Sequence, residues 1–110
     1  MSTKTLVLAL ILAAGAPAPA VLAQSRTIEV EITGFAFTPA RIEAHVGDTI
    51  TITNHDFVPH TLTSDDATLD SGDLGYQKSG QITLKTIGEF AFHCRYHPGM
   101  KGVISVREAK

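Results

Sequence analysis

Cysteine occurs once in this chain, at Cys94, so no disulfide can form within it. Past the first two dozen residues no window carries an apolar stripe at helical spacing, which argues against a helical bundle. Charge of either sign is also modest, with nine Lys and Arg against eleven Asp and Glu. That balance leaves no basic footprint for nucleic acid or anionic membranes, and neither is expected as a partner. Long hydrophobic runs are missing except near the start. There Leu6 to Ala14 is apolar, but Pro17 and Pro19 keep the stretch below the ~20 residues of a spanning helix.

This opening stretch reads as a secretory signal. Lys4 gives a short basic start, and Val21-Leu22-Ala23 a small-residue cleavage site before Gln24. Residues 1–23 are therefore expected to be a signal peptide and residues 24–110 a single domain in the periplasm, without a membrane anchor. Without Lys4 the mature chain holds eight Lys and Arg against eleven Asp and Glu, a net charge of −3 with His neutral. Exported domains usually pair their cysteines, so a lone one in an oxidising compartment calls for another role, and metal ligation is one.

Within the mature chain, apolar residues recur with period two, the mark of half-buried strands. Ile28, Val30 and Ile32 alternate with Thr27, Glu29, Glu31 and Thr33; Ile50 and Ile52 alternate with Thr49, Thr51 and Thr53; Ile82 and Leu84 alternate with Gln81, Thr83 and Lys85. Turn residues separate the runs at Gly47-Asp48, Asn54-His55-Asp56, Asp70-Ser71-Gly72, Ser79-Gly80 and Gly88. Short strands at this spacing predict an antiparallel sandwich or barrel.

Cys94, His97 and Met100 follow one another at three-residue intervals and bring a thiolate, an imidazole and a thioether to one short loop. A Cys sulfur with imidazole nitrogens in a trigonal plane and a long axial Met sulfur is the donor set of blue-copper electron-transfer sites. Alternation through Phe90, Phe92 and Cys94 places the sulfur at a strand end facing the core, while His93 faces away. A second imidazole must come from upstream, and His60 in Pro59-His60-Thr61 competes for that place with His45, His55 and His93. Each residue also has a plainer role open to it: Cys94 as a small hydrophobe, Met100 as core filling, His97 as a surface residue. Asn54 and Thr61 carry groups able to hydrogen-bond across the loops that hold the ligands, and both are also ordinary turn or strand formers.

Taken with Gly47-Asp48-Thr49-Ile50-Thr51-Ile52-Thr53-Asn54 and Val58-Pro59-His60, the run from Phe92 to Gly102 resembles the small blue-copper proteins of the cupredoxin (plastocyanin/amicyanin) family, most of all the amicyanin branch. The similarity runs from about Ile28 to Val106. It implies an all-β, antiparallel Greek-key β-sandwich (cupredoxin-like) and one type 1 copper held by His60, Cys94, His97 and Met100. It also implies that Thr61, after the first His, ties the two ligand loops together. The sequence departs from the pattern in having no Trp, with Ile52 in place of the usual aromatic, and in Gly99 where a bulky apolar residue is usual.

By that resemblance the chain is not an enzyme but a shuttle for single electrons. Its redox partners, a dehydrogenase or c-type cytochrome, would dock transiently near His97 on a patch built from Phe57, Val58, Pro59, Tyr96 and Pro98, and a monomer is expected. Storage or delivery of copper without electron transfer would use the same ligands. An oxidase or nitrite reductase is disfavoured, since one ligand set lacks the second copper centre of those chemistries.

Overall fold

Where polar and apolar residues alternate, a strand presents two unlike faces, and two such strands sets close on each other by their apolar sides. The computed structural model describes residues 24–109, so the export signal expected over residues 1–23 lies outside the described residues. Its strands are β1 (Thr27–Thr33), β2 (Ala36–Thr38), β3 (Arg41–His45), β4 (Thr49–Asn54), β5 (Thr63–Ser64), β6 (Ser79–Thr83), β7 (Gly88–Cys94) and β8 (His97–Arg107). They form two four-stranded sheets, ordered β2-β1-β4-β6 and β3-β8-β7-β5. Among the described residues no helix is long and apolar enough to cross a membrane.

Between the sheets lies one apolar core. Val30, Ile32, Ile50, Ile52 and Ile82 enter it from the first sheet, and Ile42, Ala44, Phe92, Cys94, Ile104 and Val106 from the second. Burying each of the larger side chains contributes about 1.5–3 kcal/mol, so alternation in sequence becomes the main stabilising force of the sandwich. Gly102 pairs with Phe92 across β7 and β8. A Cβ at Gly102 would lie 2.2 Å from the Phe92 ring and 2.4 Å from the Ala40 carbonyl oxygen, so only glycine fits there without displacing both.

The sheets are mixed where alternation alone suggested antiparallel pairing throughout. β1 runs parallel to β4 and β3 parallel to β8, while the other pairs are antiparallel. The cause is the path of the chain, which leaves the first sheet after β2, forms β3 in the second and returns as β4. A strand that comes back by such a crossover lands parallel to its neighbour. The register of β1 on β4 matches Ile28 with Ile50, Val30 with Ile52 and Ile32 with Asn54.

A second difference concerns the segment that carries Cys94, His97 and Met100. The structure makes it the tip of a hairpin: Cys94 pairs with His97, Arg95 and Tyr96 form the turn, and β8 begins at His97. The register shifts between His93, opposite Lys101, and Cys94, opposite His97, so Pro98, Gly99 and Met100 have no partner on β7. Such a bulge re-aims the side chains it carries, and it suits a proline, which has no N–H to give a ladder.

Asp48 ties together the end of the sandwich where β4 starts. Its buried carboxylate accepts hydrogen bonds from the backbone N–H of Arg26 at 2.9 Å and of His45 at 2.9 Å, with the Arg26 guanidinium 3.5 Å away. Burial pushes this carboxyl up, but the two amides and the guanidinium outweigh it and hold it below its ordinary value of 3.8. A carboxyl lowered in the folded state stabilises the fold above the ordinary value, and that stabilisation is lost as pH falls through the lowered one. Asp48→Asn should therefore cost about 1–3 kcal/mol at neutral pH. The deficit should shrink as both proteins are brought from neutral to strongly acidic pH, where the native carboxylate takes up its proton below its ordinary value. Denaturant titrations at the two pH values check this.

Candidate metal centre

Three donor side chains converge at the end of the sandwich opposite Asp48. Cys94 ends β7 and His97 starts β8, so one hairpin tip holds the thiol and one imidazole. His60 comes from the segment between β4 and β5 and is fixed by a pair of backbone hydrogen bonds with Leu74, at 3.1 and 2.8 Å. The Nδ1 atoms of His60 and His97 each lie 3.6 Å from Cys94 Sγ. One donor atom from each of the three residues lies within 4.8 Å of the others, the only such grouping of His, Cys, Asp and Glu among the described residues. Cys94 and His60 are fully buried and His97 partly so. Met100 is buried in the same apolar cluster as Cys94, at the end of the bulge that begins with Pro98.

The other histidines lie elsewhere. His93, on the outer face of β7, has Nδ1 2.6 Å from the Asp65 carboxylate; His55 pairs with Glu31 on the surface; His45 ends β3 beside Asp48. An open groove of about 320 Å³ runs past Leu69, Ile82, Leu84 and Phe90 and touches none of the three donors.

Thr61 joins the His60 segment to the Cys94 strand by two of its own atoms. Its backbone N–H points at Cys94 Sγ from 3.4 Å, and its side-chain oxygen accepts the N–H of Arg95 at 2.9 Å. From there the hydroxyls run in series: Thr61 to Thr63 at 2.9 Å, then Thr63 to the Asp70 carboxylate at 3.1 Å. Arg95 closes the circuit from outside, its guanidinium 2.8 Å from Asp70 and 3.4 Å from Asp73. Tyr96 donates its hydroxyl to Asp73 at 2.7 Å, and holding that proton raises the phenol above its ordinary value. The turn between Cys94 and His97 is thus fastened to the 70–73 segment by both of its residues.

Asn54, fully buried at the end of β4, shapes the segment before His60. Its amide donates to the Val58 carbonyl at 2.9 Å and the Leu74 carbonyl at 2.8 Å, and its side-chain oxygen accepts the N–H of Asp56 at 2.9 Å.

Two residues that periodicity and motif do not single out complete the surroundings. Asp56 accepts a hydrogen bond from His60 Nε2 at 2.9 Å, which leaves Nδ1 of that ring free on the side facing Cys94. The same carboxylate takes the N–H groups of Gly34 and Phe35, each at 2.8 Å. Burial pushes the Asp56 carboxyl up, and these amides with the His60 ring bring it below its ordinary value. The second residue is Phe35, whose ring stands edge-on to His60 with centroids 5.0 Å apart and to His97 with centroids 4.8 Å apart. Spacing of four from Asp56 to His60 was the only sequence signal for the first. Phe35 gave none, since its place depends on the register of β1 on β4.

A thiol and two imidazoles on one side, with a thioether carrier beside them, are donors for a soft or borderline metal ion and not for a hard one such as calcium. Independent comparison agrees with that chemistry. A family model described as a cupredoxin-like domain matches residues 4–106. The chain belongs to the cupredoxin-like family. A curated relative of this cupredoxin-like chain, the chloroplastic plastocyanin of Physcomitrium patens, is 31% identical over 83 residues, which span 64% of the chain and 49%, about half, of the plastocyanin's own length. Among solved structures, a reduced amicyanin with a proline-to-phenylalanine substitution superposes with a TM-score of 0.67 at 26% identity, over 74% of this chain and 82% of that one. The Cu(I) form of an amicyanin with a methionine-to-alanine substitution gives 0.68 at the same identity and coverage. The expected cupredoxin-like sandwich and its likeness to amicyanin both hold.

The Thr61 hydroxyl offers a direct test of how the hairpin tip is held. Thr61→Val keeps the shape but leaves the Arg95 N–H without its acceptor, and should destabilise the protein by about 1–3 kcal/mol. Thr61→Ser, which restores the hydroxyl, should recover most of that loss in the same urea titration.

Proposed function

We propose that this chain binds one copper ion at His60, Cys94, His97 and Met100 and carries single electrons between redox proteins in the periplasm. The observation that carries the reading is the convergence of His60 Nδ1, Cys94 Sγ and His97 Nδ1, from two separate segments, into one buried cluster. The residues fit the metal: a thiolate, two imidazoles and a thioether are the donor set that prefers copper to harder ions. Bound there, copper supplies a one-electron couple between Cu(I) and Cu(II).

The protein's own groups do the rest. Asp56 holds the His60 tautomer, and the Thr61 amide points its N–H at the sulfur, which disperses thiolate charge. The rigid hairpin tip keeps the donors in place whichever charge they face, so little rearrangement opposes electron transfer. Its half-exposed His97 offers the shortest path from the cluster to the surface. Phe57, Val58, Pro59, Tyr96 and Pro98, from the segments that carry His60 and His97, are all exposed, with the Phe57 ring stacked on Tyr76 at 4.5 Å. A small apolar face of this kind favours transient docking, in which a dehydrogenase or a c-type cytochrome can come and go between turnovers. The expected signal at residues 1–23 supports export to the periplasm, and a monomer leaves the His97 face free.

Copper loading of the mature chain tests the reading. One copper per chain should bind, and the oxidised protein should be intensely blue from charge transfer out of the Cys94 thiolate. Cys94→Ser should abolish the colour; if the blue band survives, the site is wrongly assigned. Met100→Gln, which offers a harder oxygen donor, should keep the colour and lower the reduction potential. A wild-type protein that holds copper but exchanges electrons with no redox protein would mean storage or delivery of the metal.

A further inference from the structure

Gly34 and Phe35 form the two-residue turn between β1 and β2, and both have positive φ, 61° and 60°. That sign pattern belongs to the type I′ hairpin turn, whose second central position normally carries glycine. A phenylalanine there is out of place, because the left-handed region crowds its Cβ. Residues held in such a conformation cluster at functional sites, where surrounding structure over-determines them. Here Asp56 does so, accepting the N–H groups of both turn residues on the carboxylate that also accepts His60 Nε2.

The strained backbone puts the Phe35 ring against two imidazoles at once. Its plane makes angles of 83° with His60 and 82° with His97, and the imidazoles are themselves 5.0 Å apart at 64°. The three rings thus form a triangle in which every contact has the edge-to-face arrangement that aromatic pairs favour. Phe35 is itself 49% exposed, whereas His60 is fully buried, so the phenyl ring stands on the outer side of the imidazole pair.

We propose that Phe35 is a positioning residue of the metal site, a ring that keeps the His60 and His97 imidazoles at their mutual angle and hinders His97 from swinging away from Cys94. This deepens the copper-site reading above and rests on it. Of the two imidazoles His97 is the one that needs such a stop, because His60 is already held by Asp56 through its other nitrogen and by Leu74 through its backbone. The Gly34-Phe35 turn and the Phe35 ring come from a third segment, outside the two that supply the donors, and Asp56 fastens that turn to the His60 segment.

The test separates positioning from mere packing by using glycine. Phe35→Gly removes the ring but relaxes the backbone, since glycine occupies φ near 60° without penalty. The copper-free variant should unfold at the same temperature as wild type or higher. Loaded with copper, it should nevertheless lose the metal to excess EDTA on the order of tenfold faster, from the loss of two edge-to-face contacts. Its reduction potential should also shift, and Phe35→Tyr, which keeps the ring, should restore both copper retention and potential. In the copper-free protein, imidazole NMR signals should show His97 sampling additional rotamers in Phe35→Gly and a single one in wild type. If Phe35→Gly keeps wild-type copper retention, or if Phe35→Tyr fails to rescue it, the role falls. Should the wild-type chain take up no copper, the site reading fails, and the copper-free spectra still decide for Phe35: identical His97 signals in the two proteins would overturn it.

Discussion

Thr61 is the residue through which the two donor-bearing segments know each other's position. One follows β4 and brings His60; the other is the tip of the β7–β8 hairpin and brings Cys94 and His97. The β5–β7 ladder joins them up to Thr63 and His93, and beyond its end the spacing of the donors is held by the Thr61 amide against Cys94 Sγ and the Thr61 hydroxyl beneath the Arg95 N–H. Thr61 and Cys94 are fully buried, so the contact with the sulfur faces no competition from water, and a Thr61 group that lost its partner would be left desolvated. The outer circuit through Thr63, Asp70 and Arg95 adds little free energy where it is exposed. It limits instead the directions in which the tip can move.

The same logic extends to the third segment. Parallel pairing of β1 with β4 places Ile32 beside Asn54, and the chain continues from there as Gly34-Phe35 on one strand and His55-Asp56 on the other. Asp56 can therefore cap a turn that is remote in sequence while holding His60 four residues ahead of it. Asn54 shapes the intervening stretch by binding Asp56, Val58 and Leu74 at once. A buried asparagine at the end of β4 thus serves the site from below, and an aspartate at its start closes the far end of the sandwich.

Much of this was legible in the residues alone, and for definite reasons. Strands such as Thr27–Thr33 and Thr49–Asn54 announce themselves because one face is buried and the period of two survives in the sequence. The inward direction of Cys94 followed from the same period. Strands of two or three residues, such as β5 and β2, are too short to show a period. Pro98-Gly99 read as loop because proline and glycine normally end a ladder, whereas the bulge lets β8 begin before them. Parallel pairing and the place of Phe35 lay beyond reach, since both are set by register between strands, which local spacing does not encode.

The pairing of β3 with β8 brings Arg41 beside Val103, so the second sheet closes only after nearly the whole domain has emerged and its ends have met. Topologies dominated by such distant contacts fold slowly. Until closure the lone thiol of Cys94 has no core to hide in and no second cysteine in the chain to pair with. A foreign disulfide in the surroundings can reach it during that interval and exchange with it, releasing one thiol and leaving a mixed disulfide that the finished sandwich has no room to hold. Folding and protection of the sulfur are therefore one race: the reagent that would spoil the site acts on the unfolded chain, and the native protein, with Cys94 fully buried, is safe from it once formed.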